Sequence, residues 1–187
     1  MTAPRLIRNL ALIGLMGAGK STVGRIVAER LRFDFVDTDT LIERQAGLSV
    51  SEIFEQHGEP HFRELERRLV AELAQRERTV MATGGGLGAN PEHLASLKTH
   101  ALVCYLCASP EKLFERVRYA SHRPLLKDPD PLGRLRELLA AREPVYRQAD
   151  LLVSTDWRQP METAAHLAAQ FRDATARHAP GEAKAES

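Results

Sequence analysis

A glycine-rich segment near the amino terminus constrains the fold of this chain more than any other feature. Residues 14–21 read Gly-Leu-Met-Gly-Ala-Gly-Lys-Ser and fit the pattern G-x-x-x-x-G-K-S/T at every defined position. An apolar run at residues 10–14 leads into the segment, and an amphipathic helical pattern over residues 23–31 follows it. A strand, a glycine-rich loop and a helix in this order are typical of a phosphate-binding loop. The sequence therefore predicts an α/β domain that binds a nucleoside triphosphate.

The parts of this loop have separate chemical tasks. Glycines permit the positive φ angles that turn backbone N–H groups onto phosphate oxygens. Lys20 is expected to reach the β- and γ-phosphates of ATP, and the hydroxyl group of Ser21 is expected to coordinate Mg²⁺. The residues predicted to line the nucleotide here are Gly14, Gly17, Ala18, Gly19, Lys20, Ser21 and Thr22. The loop by itself does not indicate which molecule accepts a phosphoryl group.

Four further apolar runs alternate with helical patterns along the chain. They cover residues 33–37, 79–83, 101–106 and 151–155. Continuous apolar runs of this length suit strands that are buried on both faces of a parallel sheet. We expect a single three-layer α/β/α domain over residues 1–173, with a five-stranded parallel sheet and with ligands at the carboxyl ends of its strands.

Two stretches are expected to lie outside the rigid part of this domain. Residues 120–130 contain proline and acidic breaks, and they are predicted to form a mobile lid. Residues 174–187 are rich in Ala and Glu with Pro and Gly, and they are predicted to form a disordered tail.

The charge and the cysteines of the chain argue against several classes of partner. It has 26 basic and 25 acidic residues and a formal net charge of +1, so no global field draws it to nucleic acid or to an anionic membrane. No apolar run approaches the roughly 18 residues that cross a bilayer, and no secretory signal is expected. Cys104 and Cys107 should project from opposite faces of a strand rather than form a redox pair or half of a zinc site. We expect a reduced, cytoplasmic, monomeric protein.

Two carboxylates end the second predicted strand. Asp37 and Asp39 should therefore lie at the carboxyl edge of the sheet, beside the phosphate loop. Phosphoryl transfer needs one carboxylate in the metal shell and another that orients or deprotonates the attacking hydroxyl group. The two aspartates can divide these tasks, and capping of the following helix is the structural alternative.

An arginine and three glycines are candidates for contacts with an anionic acceptor. Arg63 lies one helical turn from Glu66, and a guanidinium group braced in this way forms a fork for a carboxylate. A solvated surface ion pair is the alternative. Gly84, Gly85 and Gly86 directly follow the third predicted strand, where glycines allow the backbone to approach a ligand closely.

Two more arginines are candidates for contacts with phosphate or substrate. Arg123 lies in the predicted lid, and a lid arginine can close over a phosphoryl group in transfer. Arg142 lies late in a predicted helix that Pro144 is expected to kink or end. A plain surface position is the alternative for both arginines.

Taken together, these segments resemble those of the shikimate kinases. The matching pieces are the phosphate loop, Asp-Thr-Asp at 37–39, Phe-Arg-x-x-Glu at 62–66, Thr-Gly-Gly-Gly at 83–86, Arg-Pro-Leu-Leu at 123–126 and Ala-Arg-Glu-Pro-Val-Tyr at 141–146. They occur in the order of that family between about residues 10 and 160. The resemblance implies a Mg²⁺-dependent transfer of the γ-phosphoryl group of ATP to the 3-hydroxyl group of shikimate. This reaction is a step of aromatic amino-acid biosynthesis through chorismate.

The resemblance also implies which residues bind shikimate. The residues in contact with it would be Asp39, Arg63, Gly84, Gly85, Gly86 and Arg142. Arg63 and Arg142 would bind its carboxylate. Asp39 would hold its hydroxyl groups and act as a general base or as a positioning group.

On the nucleotide side, the resemblance implies two further sets of contacts. Lys20 and Arg123 would stabilise the phosphates as catalytic residues, while Ser21 and Asp37 would serve Mg²⁺. Arg116 and Pro160 match the positions that lie on the two faces of the adenine ring.

Two alternatives remain open from the sequence. One is a related small kinase that acts on gluconate or on a nucleoside monophosphate, and the triple glycine and the Phe-Arg-x-x-Glu segment argue against it. The other is a nucleotide-binding regulator without catalysis, and the complete set of Lys20, Ser21 and Asp37 argues against it. Trp157, the only tryptophan, has no assigned role.

Overall fold

Strands and helices alternate along the computed structural model, which describes residues 5–118 and 128–178. The strands are β1 (Asn9–Ile13), β2 (Asp34–Asp37), β3 (Thr79–Ala82), β4 (Ala101–Cys107) and β5 (Leu151–Ser154). The helices are α1 (Lys20–Leu31), α2 (Thr38–Ala46), α3 (Val50–Leu73), α4 (Gly85–Gly88), α5 (Pro91–His100), α6 (Pro110–Val117), α7 (Pro131–Tyr146) and α8 (Pro160–His178).

The strands form one parallel sheet in the order β2-β3-β1-β4-β5. The central strand β1 pairs with β3 and β4, and Leu12 lies opposite Ala82 on one side and Cys104 on the other. Because parallel neighbours need crossover connections, the helices cover both faces and the carboxyl ends of the strands meet at one edge. The predicted fold class is confirmed, and each predicted strand is present to within one residue at either end.

Alternation along the strands builds two apolar layers. On β1, Leu10 and Leu12 pack into a layer with α1 and α8, while Ala11 and Ile13 pack into a layer with α3 and α5. Successive side chains on a strand point to opposite faces, so a run that is apolar throughout fills both layers.

The same alternation separates the two cysteines. Cys104 lies in the layer with α1 and α8, and Cys107 packs against the opposite layer. Both are free thiols, and burial raises the pKa of each. The expected placement on opposite faces is confirmed. Within residues 5–118 and 128–178, no group of three or more His, Cys, Asp or Glu side chains could hold a metal ion.

The helix starts follow local sequence signals. Ser49 and Glu52 form a reciprocal capping box at the start of α3, with the N–H of Ser49 donating to Glu52 Oε2 at 2.7 Å. Inside α3, Gly58 has φ 78° and interrupts the helical backbone, so the second part of this element takes a direction of its own. That second part carries Arg63 and Glu66 to the carboxyl edge of the sheet.

Two helices extend past positions where the sequence suggested a break or the start of the tail. Helix α7 continues past Pro144 to Tyr146, because the last turn is held by the buried side chain of Tyr146. Helix α8 continues to His178, beyond the boundary expected at residue 173, because Ala174 packs against the core layer and Thr175 bonds back to the carbonyl oxygen of Phe171 at 3.0 Å.

The predicted lid lies mostly outside the described residues. Residues 119–127, which include Arg123, are not described, and Asp130 caps α7 by accepting a hydrogen bond from the N–H of Gly133 at 2.9 Å. The remainder of the expected tail, residues 179–187, is likewise outside the described part. Of the helices in the described part, none is long and apolar enough to span a membrane.

Candidate active site

The phosphate loop leaves β1 in a conformation that depends on glycine. Gly14, Gly17 and Gly19 have φ values of 135°, 81° and 90°. A Cβ atom at Gly14 would also lie 2.5 Å from the carbonyl oxygen of Leu106, and one at Gly17 would lie 2.8 Å from that of Leu113. Both the backbone angles and the close packing on β4 and α6 therefore require residues without a side chain.

Lys20 lies within the loop that it is predicted to serve. Its Nζ atom donates hydrogen bonds to the carbonyl oxygens of Gly14 at 2.8 Å and Leu15 at 2.9 Å. The ammonium group is thus held at the amino end of α1, where backbone N–H groups and the helix dipole favour an anion.

Ser21 and Asp37, the two predicted metal ligands, are in direct contact. Ser21 Oγ donates to Asp37 Oδ2 at 2.6 Å. The other oxygen, Asp37 Oδ1, accepts hydrogen bonds from the N–H groups of Asp39 at 3.2 Å and Thr40 at 3.5 Å. Asp37 therefore caps α2 and also presents a carboxylate oxygen beside the serine of the phosphate loop.

Thr38, which stands between the two aspartates in the sequence, links the end of β2 to the glycine turn after β3. Its buried Oγ1 accepts a hydrogen bond from the N–H of Gly84 at 2.8 Å. The carboxylate of Asp39 packs directly on Gly84, and a Cβ atom there would overlap Asp39 Oδ1. The glycine leaves room for the carboxylate at the edge of the sheet.

Arg63 is braced on one side and packed on a glycine on the other. Its Nη1 donates to Glu66 Oε2 at 2.7 Å, and its Nη2 donates to Glu59 Oε1 at 2.6 Å. The guanidinium group lies so close to Gly86 that a Cβ atom there would overlap Nη1. The predicted contact with Glu66 is present, and Glu59 adds a second carboxylate.

Glu66 shows that several predicted groups share one cleft. Its side chain is only 1% exposed, and Oε1 has no hydrogen-bond partner among the residues that the structure describes. Burial raises the pKa of Glu66, the charge of Asp39 adds to that rise, and the charges of Arg63 and Arg142 oppose it. Such mutual effects require that these charged groups lie near one another.

Arg142 approaches the same glycines from α7. Its Nη1 lies 3.1 Å from the position that a Cβ atom would take at Gly85, and the carbonyl oxygen of Gly14 lies 3.7 Å from that position. Because Lys20 binds the same Gly14 oxygen, the lysine and the arginine both lie near the contact between Gly14 and Gly85. Tyr146, one turn beyond Arg142, donates to the carbonyl oxygen of Gly85 at 2.7 Å.

Arg116 lies against the outer side of the phosphate loop. Its Nη1 donates to the carbonyl oxygen of Gly17 at 3.2 Å and to Thr155 Oγ1 at 3.1 Å. Pro160 is the first residue of α8, and Trp157 before it is 87% exposed with Lys112 Nζ 5.7 Å from its ring centroid. Arg116 thus borders the loop.

Three residues of this cleft did not emerge from the sequence. Thr38, Glu59 and Tyr146 hold Gly84, Arg63 and Gly85, respectively. Thr38 and Tyr146 lie inside two segments named in the sequence analysis, residues 37–39 and 141–146. Their polar side chains within these segments were the available signal for a role in the site. Glu59 stands four residues before Arg63, and this spacing was the available signal for their ion pair.

Comparisons with known proteins agree with this arrangement. The family model for shikimate kinase matches residues 16–172 of the chain. A shikimate kinase from Nitrobacter winogradskyi is 50% identical over 148 residues, which are 79% of this chain and 69% of that protein. One from Caldanaerobacter subterraneus is 44% identical over 158 residues, 84% of this chain and 92% of that protein. The solved structure of a shikimate kinase from Acinetobacter baumannii in complex with shikimate aligns with a TM-score of 0.84 at 36% identity, covering 90% of this chain and 95% of that one.

Proposed function

The chain belongs to the shikimate kinase family, and we propose that it transfers the γ-phosphoryl group of ATP to the 3-hydroxyl group of shikimate in the cleft described above. One observation carries the proposal. Arg142 packs on Gly85, which also lies beside the Gly14 carbonyl oxygen that Lys20 binds, while Asp39 and Arg63 pack on the glycines that flank Gly85. A phosphate-binding group, a carboxylate and two guanidinium groups therefore converge at one edge of the sheet, as a small hydroxylated acid and ATP require.

Shikimate recognition is assigned to the arginines, the aspartate and the glycine turn. Arg63 and Arg142 bind the carboxylate, since guanidinium groups pair with carboxylates through two parallel hydrogen bonds. Asp39 accepts hydrogen bonds from the hydroxyl groups of the ring. The turn at 84–86 lacks side chains, so the substrate can approach the backbone there.

Ser21 and Asp37 fit a magnesium site. Mg²⁺ prefers oxygen ligands, and Ser21 Oγ and Asp37 Oδ2 are two such oxygens 2.6 Å apart beside the phosphate loop. When bound, Mg²⁺ neutralises charge on the β- and γ-phosphates. Asp37 keeps its position there because the N–H groups of Asp39 and Thr40 hold its other oxygen.

The chain's own groups act on the transfer through position and charge. Lys20 exchanges its bonds to backbone carbonyl oxygens for bonds to phosphate oxygens, and Arg123 adds a second positive charge from the lid segment. Asp39 orients the 3-hydroxyl group and receives its proton as the new oxygen–phosphorus bond forms, while the bond from the γ-phosphorus to the bridging oxygen of ATP breaks and ADP leaves. The transition state is loose, so that most of the rate comes from positioning and electrostatic stabilisation.

Arg116 and Pro160 are assigned to the adenine ring. The contacts of Arg116 with Gly17 and Thr155 support this placement, because they put the guanidinium group next to the phosphate loop. Planar guanidinium groups stack well on aromatic rings.

We also propose a cytoplasmic monomer. Two free thiols, Cys104 and Cys107, suit a reducing compartment. Sedimentation at micromolar concentration is expected to give the mass of one chain, and a stable dimer would contradict the monomer.

An ADP-release assay with separate acceptors tests the proposed function. Shikimate, gluconate and AMP are offered singly with ATP and Mg²⁺, and ³¹P NMR identifies the phosphorylated product. Turnover with shikimate alone is expected. Stimulation only by gluconate or AMP would replace the acceptor, and no turnover with any of them would favour a nucleotide-binding regulator.

A further inference from the structure

Tyr146 lies between two parts of the acid-binding site and has no part in the reaction as described so far. We propose that Tyr146 is a positioning residue that fixes Gly85 and Arg142 relative to each other and thereby sets the affinity for the carboxylate of the acceptor. The identity of that acceptor rests on the proposed function.

The hydroxyl group of Tyr146 lies between the glycine turn and Arg142. It donates to the carbonyl oxygen of Gly85 at 2.7 Å. Arg142 Nη1 and Tyr146 OH lie 3.1 and 3.6 Å, respectively, from the position that a Cβ atom would take at Gly85, so both groups pack on the same glycine. Arg142 and Tyr146 are four residues apart on α7 and therefore share a helix face. One hydrogen bond thus joins the glycine turn to the helix face that carries the substrate arginine.

The ring of Tyr146 gives this oxygen a fixed position. Tyr146 is fully buried, and its ring packs on that of Tyr105 with centroids 5.1 Å apart. Tyr105 in turn lies 3.3 Å from the position that a Cβ atom would take at Gly14, at the start of the phosphate loop. A ring held between β4 and the glycine turn cannot shift without moving its neighbours.

The chemistry of the hydroxyl group fits positioning rather than proton transfer. Burial raises the pKa of Tyr146 to about 12, with Arg142 opposing the rise, so the hydroxyl group stays neutral at physiological pH. A neutral hydroxyl group can donate the hydrogen bond that the carbonyl oxygen of Gly85 accepts, which a phenolate could not do.

Replacement of this single hydroxyl group tests the inference. Tyr146→Phe keeps the ring and its packing on Tyr105, so the variant loses the hydrogen bond to Gly85 but creates no cavity. The KM for shikimate is expected to rise about tenfold, while kcat changes by less than about threefold and the KM for ATP by less than about twofold. Isothermal titration of shikimate into the folded variant gives the same comparison without turnover.

Adding Tyr146→Phe to a variant that lacks Arg142 tests whether Tyr146 acts through Arg142 or through a general loss of order in the site. In Arg142→Ala, the further change Tyr146→Phe is expected to raise the KM for shikimate by less than about twofold, because the group that it orients is already gone. Tyr105→Phe is the matched control. It removes a hydroxyl group from the stacked ring, which is bonded to neither Gly85 nor Arg142 in the described structure, and it should leave the KM for shikimate unchanged.

Two results would overturn the inference. One is a KM for shikimate in Tyr146→Phe that stays within about twofold of wild type. The other is an equal effect of Tyr146→Phe with and without Arg142, since full additivity means that the two residues act independently. Thermal unfolding checks that both variants are folded at the assay temperature, which is lowered if needed. Failure of the wild-type protein to phosphorylate shikimate would contradict the proposed function instead, so the two failures are distinct.

Discussion

The buried carboxylate of Glu66 pairs with Arg63 through one oxygen at 2.7 Å, while its other oxygen has no partner within the described residues. A charge that is buried with half of its bonding capacity unused costs free energy, which the neighbouring arginines only partly offset. Such a group is sensitive to pH, and its protonation state controls how firmly Arg63 is held.

The first prediction concerns this pH dependence. Burial raises the pKa of Glu66 above its ordinary value of 4.5, so it takes up a proton at a higher pH than a solvated glutamate does. As the pH falls, Glu66 loses its charge and Arg63 keeps only Glu59 as a charged partner, so the KM for shikimate is expected to rise. Steady-state kinetics across acid pH measure this effect. Glu66→Gln should have a raised KM that is flatter with pH, and identical profiles for variant and wild type would refute the role of Glu66.

The second prediction concerns the phosphate loop. Lys20→Ala is expected to lower kcat by about 10² or more, because charge stabilisation carries most of phosphoryl transfer. The fold should survive, since the loop carbonyl oxygens to which Lys20 donates can accept hydrogen bonds from water instead. The rate of ADP release at saturating ATP and shikimate measures kcat. Near-normal turnover would remove Lys20 from the mechanism.

The third prediction compares two glycines: a neighbouring side chain leaves no room for a Cβ atom at Gly84, whereas only the backbone angle disfavours one at Gly47. Gly84 is not among the positive-φ glycines, but a Cβ atom there would overlap the carboxylate of Asp39. Gly47 has φ 69° and no neighbour within 4 Å of such an atom. Gly84→Ala is therefore expected to lower kcat by at least about tenfold, because it displaces Asp39. Gly47→Ala should spare activity and lower the free energy of unfolding by about 1 kcal/mol.

Kinetics and denaturant titrations on both glycine variants decide this prediction. Equal activities in the two variants would mean that the contact between Gly84 and Asp39 does not matter for transfer.

The fourth prediction concerns a buried histidine far from the cleft. His100 Nδ1 lies 3.0 Å from Asn9 Nδ2. Burial lowers the pKa of His100, and the positive charges of Arg8 and Arg5 lower it further. The unfolded chain therefore binds a proton that the folded chain resists, and the free energy of unfolding should fall as the pH drops below about 6.5. The slope from one such group is at most about 1.4 kcal/mol per pH unit.

Urea titrations between neutral and mildly acid pH measure this slope. His100→Gln is expected to reduce it, and replacement of the exposed His166 by glutamine should leave it unchanged. A slope that His100→Gln does not alter would contradict the effect of burial at His100.

Local patterns in the sequence were sufficient for the elements but not for all of their ends. The strands and the phosphate loop follow from apolar runs and from glycine spacing, both of which act over a few residues. The end of α8 at His178 depends on the packing of Ala174 against the core, which composition does not reveal. Helix α7 likewise passes Pro144 because Tyr146 is anchored by a distant turn.

The supporting contacts of the site were out of reach for a similar reason. Tyr146 and Gly85 are 61 residues apart, and Thr38 and Gly84 are 46 apart, so each pair depends on how the strands are ordered in the sheet. Residues that carry charge at a strand end, such as Asp39, could be assigned from the sequence because the direction of a parallel strand already fixes their edge.

Substrate binding by Arg63→Ala tests the central claim most directly, because the account requires separate groups for shikimate and for ATP in one cleft. The variant loses the guanidinium group that packs on Gly86 but keeps the phosphate loop intact. The KM for shikimate is expected to rise at least about tenfold while the KM for ATP stays within about twofold. An unchanged KM for shikimate, or an equal rise for both substrates, would contradict the assignment of this cleft.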